Sequence, residues 1–409
     1  MAFVDTLKHR DKLRSMSVKN LQIINGKVIT PEGIRDNVIV DIENGRISSV
    51  GNTEKSLRAE IIDAAGLYVS PGFIDIHIHG GGGYDFMDGD VNAFLEIAAL
   101  HARYGTTLMM PTTLSGSQQE LINTLEAYHI ANGRNDNGSR FAGMHLEGPY
   151  FAMNQRGAQD PRYIRNPDPN EYIPIIEKYP FIKRWSAAPE LPGALEFAKF
   201  LKSNRILPAL AHTDAFYDDV VKAFEAGYTL VTHLYSGMSG VTRKNAFRYA
   251  GTIESAFIID DLDVEIIADG VHLPAPFLKL IYKVKGPSRI ARITDAMRAA
   301  GLPPAESILG SKTNGIKVIV EDGVAKLPDR SSFAGSVATA DRLVRTMINE
   351  GGVPLLSAIQ MITSTPARVL NIEDETGEIV AGKIADIVIF DDNINITYTI
   401  VNGRVIFKR

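Results

Sequence analysis

Two histidines two residues apart, His77 and His79, close an apolar run in PGFIDIHIHG. On an extended strand residues i and i+2 point to the same side, so both imidazoles face one way and form a chelate for a metal ion. Polar groups recur at the ends of other apolar runs. These are His145 and Glu147 in HLEGPY, His212 and Asp214 in HTDA, His233 in THLY, Asp269 and His272 in DGVH, and Asp295 in ITDA. Six of the nine histidines lie at such ends or just beyond them. A lone strand-end histidine is usually a hydrogen-bonded core or loop residue. Burying this many imidazoles and carboxylates without a cation costs far more, which favours a metal site built from His77, His79, Glu147, His212, His233 and Asp295. Imidazole and carboxylate suit zinc first, and also iron, manganese or cobalt. Six ligands exceed the needs of one tetrahedral ion, so one or two divalent ions are expected, with a carboxylate bridging in the second case. His9, His101 and His129 fall in the N-terminal stretch or on helical patterns and read as structural. Asp75 either orients a ligand or satisfies its strand end.

Elements that could bring these groups together follow from the pattern of the chain. Eight short apolar runs occupy 73–79, 106–111, 141–147, 182–188, 207–212, 229–233, 264–269 and 290–295. Helical periodicity separates most of them, as at 91–104, 118–131, 193–203 and 216–226. Eight strand–helix units in one sheet predict an α/β fold, a (β/α)8 TIM-like barrel, whose strand ends converge on one face. A doubly wound open sheet is the runner-up, but GGGG at 80–83 lacks the spaced glycines and helix start of a dinucleotide fingerprint. Strand-rich segments at 21–51 and 377–407 carry Asn-Gly pairs at Asn25-Gly26, Asn44-Gly45 and Asn402-Gly403, each expected to turn a hairpin. Neither end buries much alone, so the two are expected to pair as a small β-sandwich module. The predicted division is an extension over 1–17, the β-sandwich from 18–69 and 366–409, and the catalytic barrel over 70–365.

The bulk properties narrow the class. At 409 residues, 45% hydrophobic, the chain can bury one large core and a smaller one. A formal net charge of -5 with no long basic run predicts no nucleic-acid or polybasic membrane surface. The absence of cysteine excludes disulfides, thiolate nucleophiles and Cys-ligated metals. The charged opening MAFVDTLKHRDKLRSMSVKN lacks the apolar segment of a signal peptide, and no apolar run reaches membrane-span length, so a cytoplasmic location is expected.

The series PGFIDIHIHG, HLEGPY, HTDA, THLY, DGVH, ITDA, TSTPARVLNI and GKIADIVIFD resembles the amidohydrolase superfamily over nearly the whole chain from Leu21 onward. HLEGP followed by RGAQ, with THLY and IADGVH, resembles the N-acetylglucosamine-6-phosphate deacetylase family within it. The resemblance implies that Glu147, His212 and His233 hold one ion. It implies a second ion through His77, His79 and Asp295 with Glu147 bridging, and Asp295 as general base and acid. It places the substrate, a small amino sugar, against Ala158 and Gln159 of the GAQ motif and against the segment from Asp269 to His272. It also suggests a homodimer in which a neighbour completes a phosphate pocket. This chain departs from the family pattern after THLY, where Ser236-Gly237-Met238 and TRKNAFRYAG stand. Arg243 is the best match for a phosphate-binding arginine, with Lys244 and Arg248 as rivals, and the family's Leu-Ser-Gly segment is altered to Phe333-Ala334-Gly335.

The chemistry implied is hydrolysis of an acetamide to acetate and a free amine, with His272 and Gln159 orienting the sugar or the acetamide oxygen, or His272 serving as an oxyanion donor. Cyclic-amide hydrolases of the same scaffold typically bridge their metals with a carboxylated lysine at a strand end, and none of the eight runs ends in lysine. A deaminase, a hydrolase of a different N-acyl substrate and a non-enzymatic degenerate barrel compete with this reading. A degenerate barrel is expected to have lost ligands, and all six are present.

Overall fold

The computed structural model describes residues 19–51 and 58–409. The extension expected over 1–17, with His9, lies outside the described residues. Each of the eight apolar runs is a strand: β1 Phe73–Ile78, β2 Thr106–Pro111, β3 Arg140–Phe141 resuming at Met144–Glu147, β4 Ile182–Ala187, β5 Leu207–Leu210, β6 Leu230–Val231, β7 Asp263–Ile267 and β8 Ile290–Ile293. They pair in parallel and in chain order, β1 to β2 to the first half of β3, then from its second half through β4, β5, β6 and β7 to β8. A parallel bridge between Thr112 and His145 crosses the break in β3. Just past β8, the Asp295 amide donates to the carbonyl of His77 in β1 at 2.9 Å.

Every residue of β1 and β2 is buried. Both faces of these strands are sealed, so even the polar Asp75 and His77, which alternate with Ile74, Ile76 and Ile78 in β1, are buried. The intervening helices supply the outer seal. Ser117 and Glu120 cap the helix Gln118–Asn132 reciprocally, the Glu120 amide donating to Ser117 Oγ at 3.2 Å and the Ser117 amide to Glu120 Oε2 at 3.0 Å. Its buried face, with that of Val91–Ala102, joins the main core around Phe94, Tyr128 and Phe141. Trp185 of β4 stacks on Tyr150 with ring centroids 5.6 Å apart, and its Nε1 donates to the Gly148 carbonyl at 2.8 Å. That bond pins the turn directly after Glu147.

The chain ends do pair. One eight-stranded sheet runs Arg404–Lys408, Ile396–Val401, Ile387–Phe390, Tyr68–Pro71, Leu21–Thr30, Gly33–Glu43 and Arg46–Gly51, with Glu60–Asp63 also on Leu21–Thr30. It has its own core of Val40, Ile42, Ile387, Ile389 and Ile400 among others. Asn44-Gly45 and Asn402-Gly403 turn hairpins, all four residues with φ between 49° and 80°. Asn25-Gly26 does not. It forms an irregularity inside Leu21–Thr30, where the register on the next strand slips. A β-carbon on Gly26 would lie 2.4 Å from Val69 Cγ2, so the glycine serves close packing there rather than a turn.

A four-stranded antiparallel sheet, Glu306–Leu309, Ile316–Glu321, Val324–Lys326 and Phe333–Ser336, follows β8 and was not anticipated from the apolar pattern. Its last strand is tied to the end of β8, since the Ser336 amide donates to the Asp295 carbonyl at 2.8 Å. Arg298 clamps the sheet to the glycine loop after β1: it donates to Asp88 Oδ2 and Oδ1 at 2.8 and 2.7 Å, to the Gly83 carbonyl at 3.0 Å and to the Gly310 carbonyl at 2.6 Å. Burial opposes ionisation of Asp88, but the hydrogen bonds and charge of Arg298 outweigh it and hold the carboxyl below its usual range. A depressed carboxyl contributes stability above its unfolded pKa and loses it as pH falls through the folded value. Asp88→Asn is therefore expected to lower unfolding stability by about 3 kcal/mol at pH 7, with the deficit shrinking in acid. Denaturant melts at both pH values check this; an equal deficit at both would contradict it.

Candidate active site

The parallel strands deliver their polar residues to one place. His77 is on β1 and His79 just past it, Glu147 ends β3, His212 and His233 follow β5 and β6, and Asp295 follows β8. The Nε2 atoms of His77 and His79 are 3.2 Å apart. Glu147 Oε1 lies 2.9 Å from His233 Nε2 and 3.5 Å from both His212 Nε2 and His77 Nε2, while Oε2 lies 3.5 Å from His79 Nε2. Asp295 Oδ1 is 3.1 Å from His79 Nε2 and 3.5 Å from His77 Nε2. Two groups of donors result, His77–His79–Glu147 and Glu147–His212–His233, sharing the carboxylate.

All four histidines turn the same ring nitrogen inward. Each Nδ1 is occupied outside the cluster: His79 with the Thr112 carbonyl at 3.3 Å, His212 with the Gln155 carbonyl at 2.7 Å, His233 with the Ser236 carbonyl at 3.1 Å, and His77 with Glu265 Oε2 at 3.5 Å. An Nδ1–H that donates outward leaves the Nε2 lone pair pointing in, as a metal ligand requires. The donor set thus fits one or two divalent ions bound by nitrogen and oxygen.

The electrostatics agree. Burial raises the cost of charging Glu147, but the charge of His77 and the hydrogen bonds of His212 and His233 drive its carboxyl well below the normal range. Burial likewise opposes the Asp295 carboxylate, and the His79 hydrogen bond with the neighbouring imidazoles keeps it low. Burial pulls His77 down, whereas at His79 the Asp295 hydrogen bond and the two carboxylates overcome burial and lift it to about 9. The backbone is held under strain as well: His212, His233 and Asp295 have φ of 46°, 33° and 49°. Such left-handed conformations cost about 1–3 kcal/mol each and persist where surrounding structure imposes them.

The cluster floors a cleft of about 470 Å³. Ala158, Gln159, Ser236, Gly237, His272, Phe333 and Gly335 line it. Gln159 has both ends of its amide engaged, accepting from the Ser115 amide and donating to Glu147 Oε2, each at 2.8 Å, so it holds the shared carboxylate. Gly237 sits at φ 58°, and a β-carbon there would meet His212 Nδ1 at 2.7 Å. Asp269 stands behind the wall. It grips His272 Nδ1 at 2.8 Å and accepts from the Val271 and His272 amides at 2.9 and 2.8 Å. Burial opposes the Asp269 charge, and the His272 hydrogen bond outweighs it, lowering the carboxyl. Asp75 accepts from the Thr294 hydroxyl and from the Thr294 and His77 amides, which satisfies the ends of β1 and β8, and burial pushes its carboxyl up to about 7.

Two expected contacts are placed elsewhere. Ala334 is fully buried in the core of the four-stranded sheet, because strand alternation turns it away from the cleft that Phe333 and Gly335 face. Arg243, with Lys244 and Arg248, lies on an exposed hairpin, Thr242–Lys244 and Phe247–Tyr249, and none of the three lines the cleft. The cations that do line it are Lys326 and Arg330, on the sheet the sequence pattern did not predict. Tyr235 and Leu309 were also missed. Tyr235 sat in plain view inside THLY, while Leu309, Lys326 and Arg330 carry no motif of their own.

Glu147→Ala removes the one donor common to both groups. The purified variant is expected to keep about a tenth or less of the wild-type metal after dialysis, by elemental analysis. Full metal content in a folded variant would contradict the shared-carboxylate geometry.

A model of the amidohydrolase family matches residues 68–406. N-acetylglucosamine-6-phosphate deacetylase of Bacillus subtilis is 31% identical over 400 residues, covering 95% of this chain and 98% of that protein. N-acetylgalactosamine-6-phosphate deacetylase of Escherichia coli O157:H7 is 30% identical over 381 residues, covering 92% and 97%. Among solved structures, N-acetyl-D-glucosamine-6-phosphate deacetylase from Mycobacterium smegmatis, a variant in complex with N-acetyl-D-glucosamine-6-phosphate, superposes with a TM-score of 0.87 at 27% identity, covering 95% of this chain and 100% of that one. A strand-end cluster of this composition, a family match over most of the chain and relatives aligned along nearly their full length lead to one assignment: the chain belongs to the amidohydrolase family.

Proposed function

We propose that this chain is a metal-dependent hydrolase that removes the acetyl group from an N-acetylated amino sugar 6-phosphate, N-acetylglucosamine-6-phosphate first, giving acetate and the free amino sugar. One observation carries the proposal: Asp295 stands beside two donor groups sharing Glu147 on the floor of a cleft of sugar-binding size, about 470 Å³. Relatives named for this reaction at 31% identity support the substrate class. His77, His79, Glu147, His212, His233 and Asp295 would hold one or two divalent ions, zinc first, which would supply polarisation of the acetyl carbonyl and a lowered pKa for a water, toward about 7.

The chain's own groups do the rest. Asp295, ionised at neutral pH, takes the proton of the attacking water as its oxygen bonds to the acetyl carbon. It passes that proton to the sugar nitrogen as the C–N bond breaks, so acetate and the amine leave. Gln159 fixes the rotamer of Glu147. His272, steadied by Asp269, keeps Nε2 for the substrate: an acceptor for a sugar hydroxyl in the neutral ring, a donor to the acetyl oxygen in the protonated one. Phe333, its ring 4.6 Å from that of His272, offers a flat apolar surface to the sugar.

The architecture proposed around this site is a closed (β/α)8 barrel over 70–365, supported by eight parallel strands in chain order and by the Asp295–His77 backbone bond between the last and the first. The paired chain ends, 18–69 and 366–409, form the small β-sandwich beside it, supported by their shared sheet and separate core. A homodimer in the cytoplasm completes the proposal. The hairpin carrying Arg243, with Phe247 72% exposed, is open for a second copy, whose cleft it would supply with a phosphate-binding cation. Among the described residues no helix is long and apolar enough to cross a membrane.

The galactosamine analogue is a second substrate that one finding favours, since a relative at 30% identity bears that name. Acetate release across phosphorylated and unphosphorylated N-acetylhexosamines tests the proposal; turnover of a 6-phosphate is expected, and no release from any of them by metal-loaded protein would overturn it. Asp295→Asn is expected to cut turnover roughly 100- to 10,000-fold with metal retained. Wild-type turnover in that variant would remove Asp295 from the mechanism.

A further inference from the structure

Beneath the donor cluster lies an ion pair sealed from solvent. Arg184 of β4 and Glu265 of β7 are both 0% exposed. Arg184 Nη2 donates to Glu265 Oε2 at 2.9 Å, and its Nη1 contacts Glu265 Oε1. The guanidinium also donates to the Thr232 hydroxyl at 2.8 Å and to the Ile76 carbonyl at 3.2 Å. It therefore ties together β1, β4, the end of β6 and β7, directly under the groups proposed to hold metal.

The carboxylate so held is turned upward. Glu265 Oε2 faces His77 Nδ1 at 3.5 Å, while His77 Nε2 faces Glu147, Asp295 and His79. The other three inward-facing histidines rest their Nδ1 on backbone carbonyls. Only His77, among the four, has a charged outer partner. A carboxylate behind an imidazole fixes its tautomer and raises its basicity as a ligand, more than a neutral carbonyl does. Arg184 keeps that carboxylate ionised where it would otherwise be too costly to bury.

We infer that Glu265 is a positioning residue for His77, anchored by Arg184, and that it selectively strengthens the His77–His79–Glu147 group over the Glu147–His212–His233 group. The two ion sites then differ in affinity by construction: the charged outer partner serves one group only. This rests on the proposed metal-holding role of the cluster.

The test is zinc binding by chelator competition, with ion content counted, on wild type and three variants. His77→Ala is expected to abolish one class of site. Removing either partner of the buried pair alone leaves a stranded charge, so the pair is replaced together. Arg184→Met with Glu265→Leu is expected to weaken that same class about 10- to 100-fold and leave the other class unchanged. Arg184→Met with Glu265→Gln returns a neutral acceptor to His77 Nδ1 and is expected to recover part of the loss; if the leucine variant does not fold, the glutamine variant is compared with wild type directly and a loss confined to the same class is still expected. Wild-type affinity in both classes, or equal weakening of both, would overturn the inference while the metal reading survives. If His77→Ala kept every ion, the metal role of that group would fail, and the inference with it.

Discussion

The structure turns on one carboxylate shared by four imidazoles. Glu147 is buried, reaches His77, His79, His212 and His233 within 3.5 Å, and has its own orientation set by Gln159. Left to protein groups alone, such a site must hold a mixture of protons and charges in a dry environment, and the opposed shifts of His77 and His79 express that conflict. A divalent cation would resolve it, replacing an unstable proton arrangement with fixed positive charge. Much of the fold serves to make the conflict unavoidable. Parallel strands sealed on both faces bring their ends together, and His212, His233 and Asp295 are held there in left-handed backbone conformations.

The surrounding layers set what can react there. Trp185 pins the turn after Glu147, Asp269 steadies His272, and the Arg298 clamp holds the late antiparallel sheet against the glycine loop, so that Phe333 and Gly335 form a wall of the cleft. These contacts are polar, internal and largely satisfied, which favours a rigid pocket over one that must assemble on binding.

The candidate site was legible because its chemistry is local in sequence: two-residue spacing in HIH and polar residues at the ends of six of the eight apolar runs need no knowledge of the fold. The eight strands were legible because short, mostly apolar stretches recur between helical patterns, as expected of strands covered on both faces. What escaped has physical reasons. The sheet 306–336 is half-exposed and short, with no long run to mark it, so the cleft cations Lys326 and Arg330 went unseen while the more conspicuous Arg243 cluster proved to lie on an exposed hairpin. Asn25-Gly26 has the composition of a hairpin turn, but packing against Val69 put it inside a strand. Arg184 and Glu265, 81 positions apart in the chain, could be joined only by the fold.

The most direct measurement is anomalous X-ray scattering from crystals of the purified protein, collected at the absorption edge of whichever metal elemental analysis finds. The account predicts a peak about 2.0–2.2 Å from Glu147, His212 and His233 together. Density showing water alone among those three side chains, in protein that turns over its substrate, would contradict it.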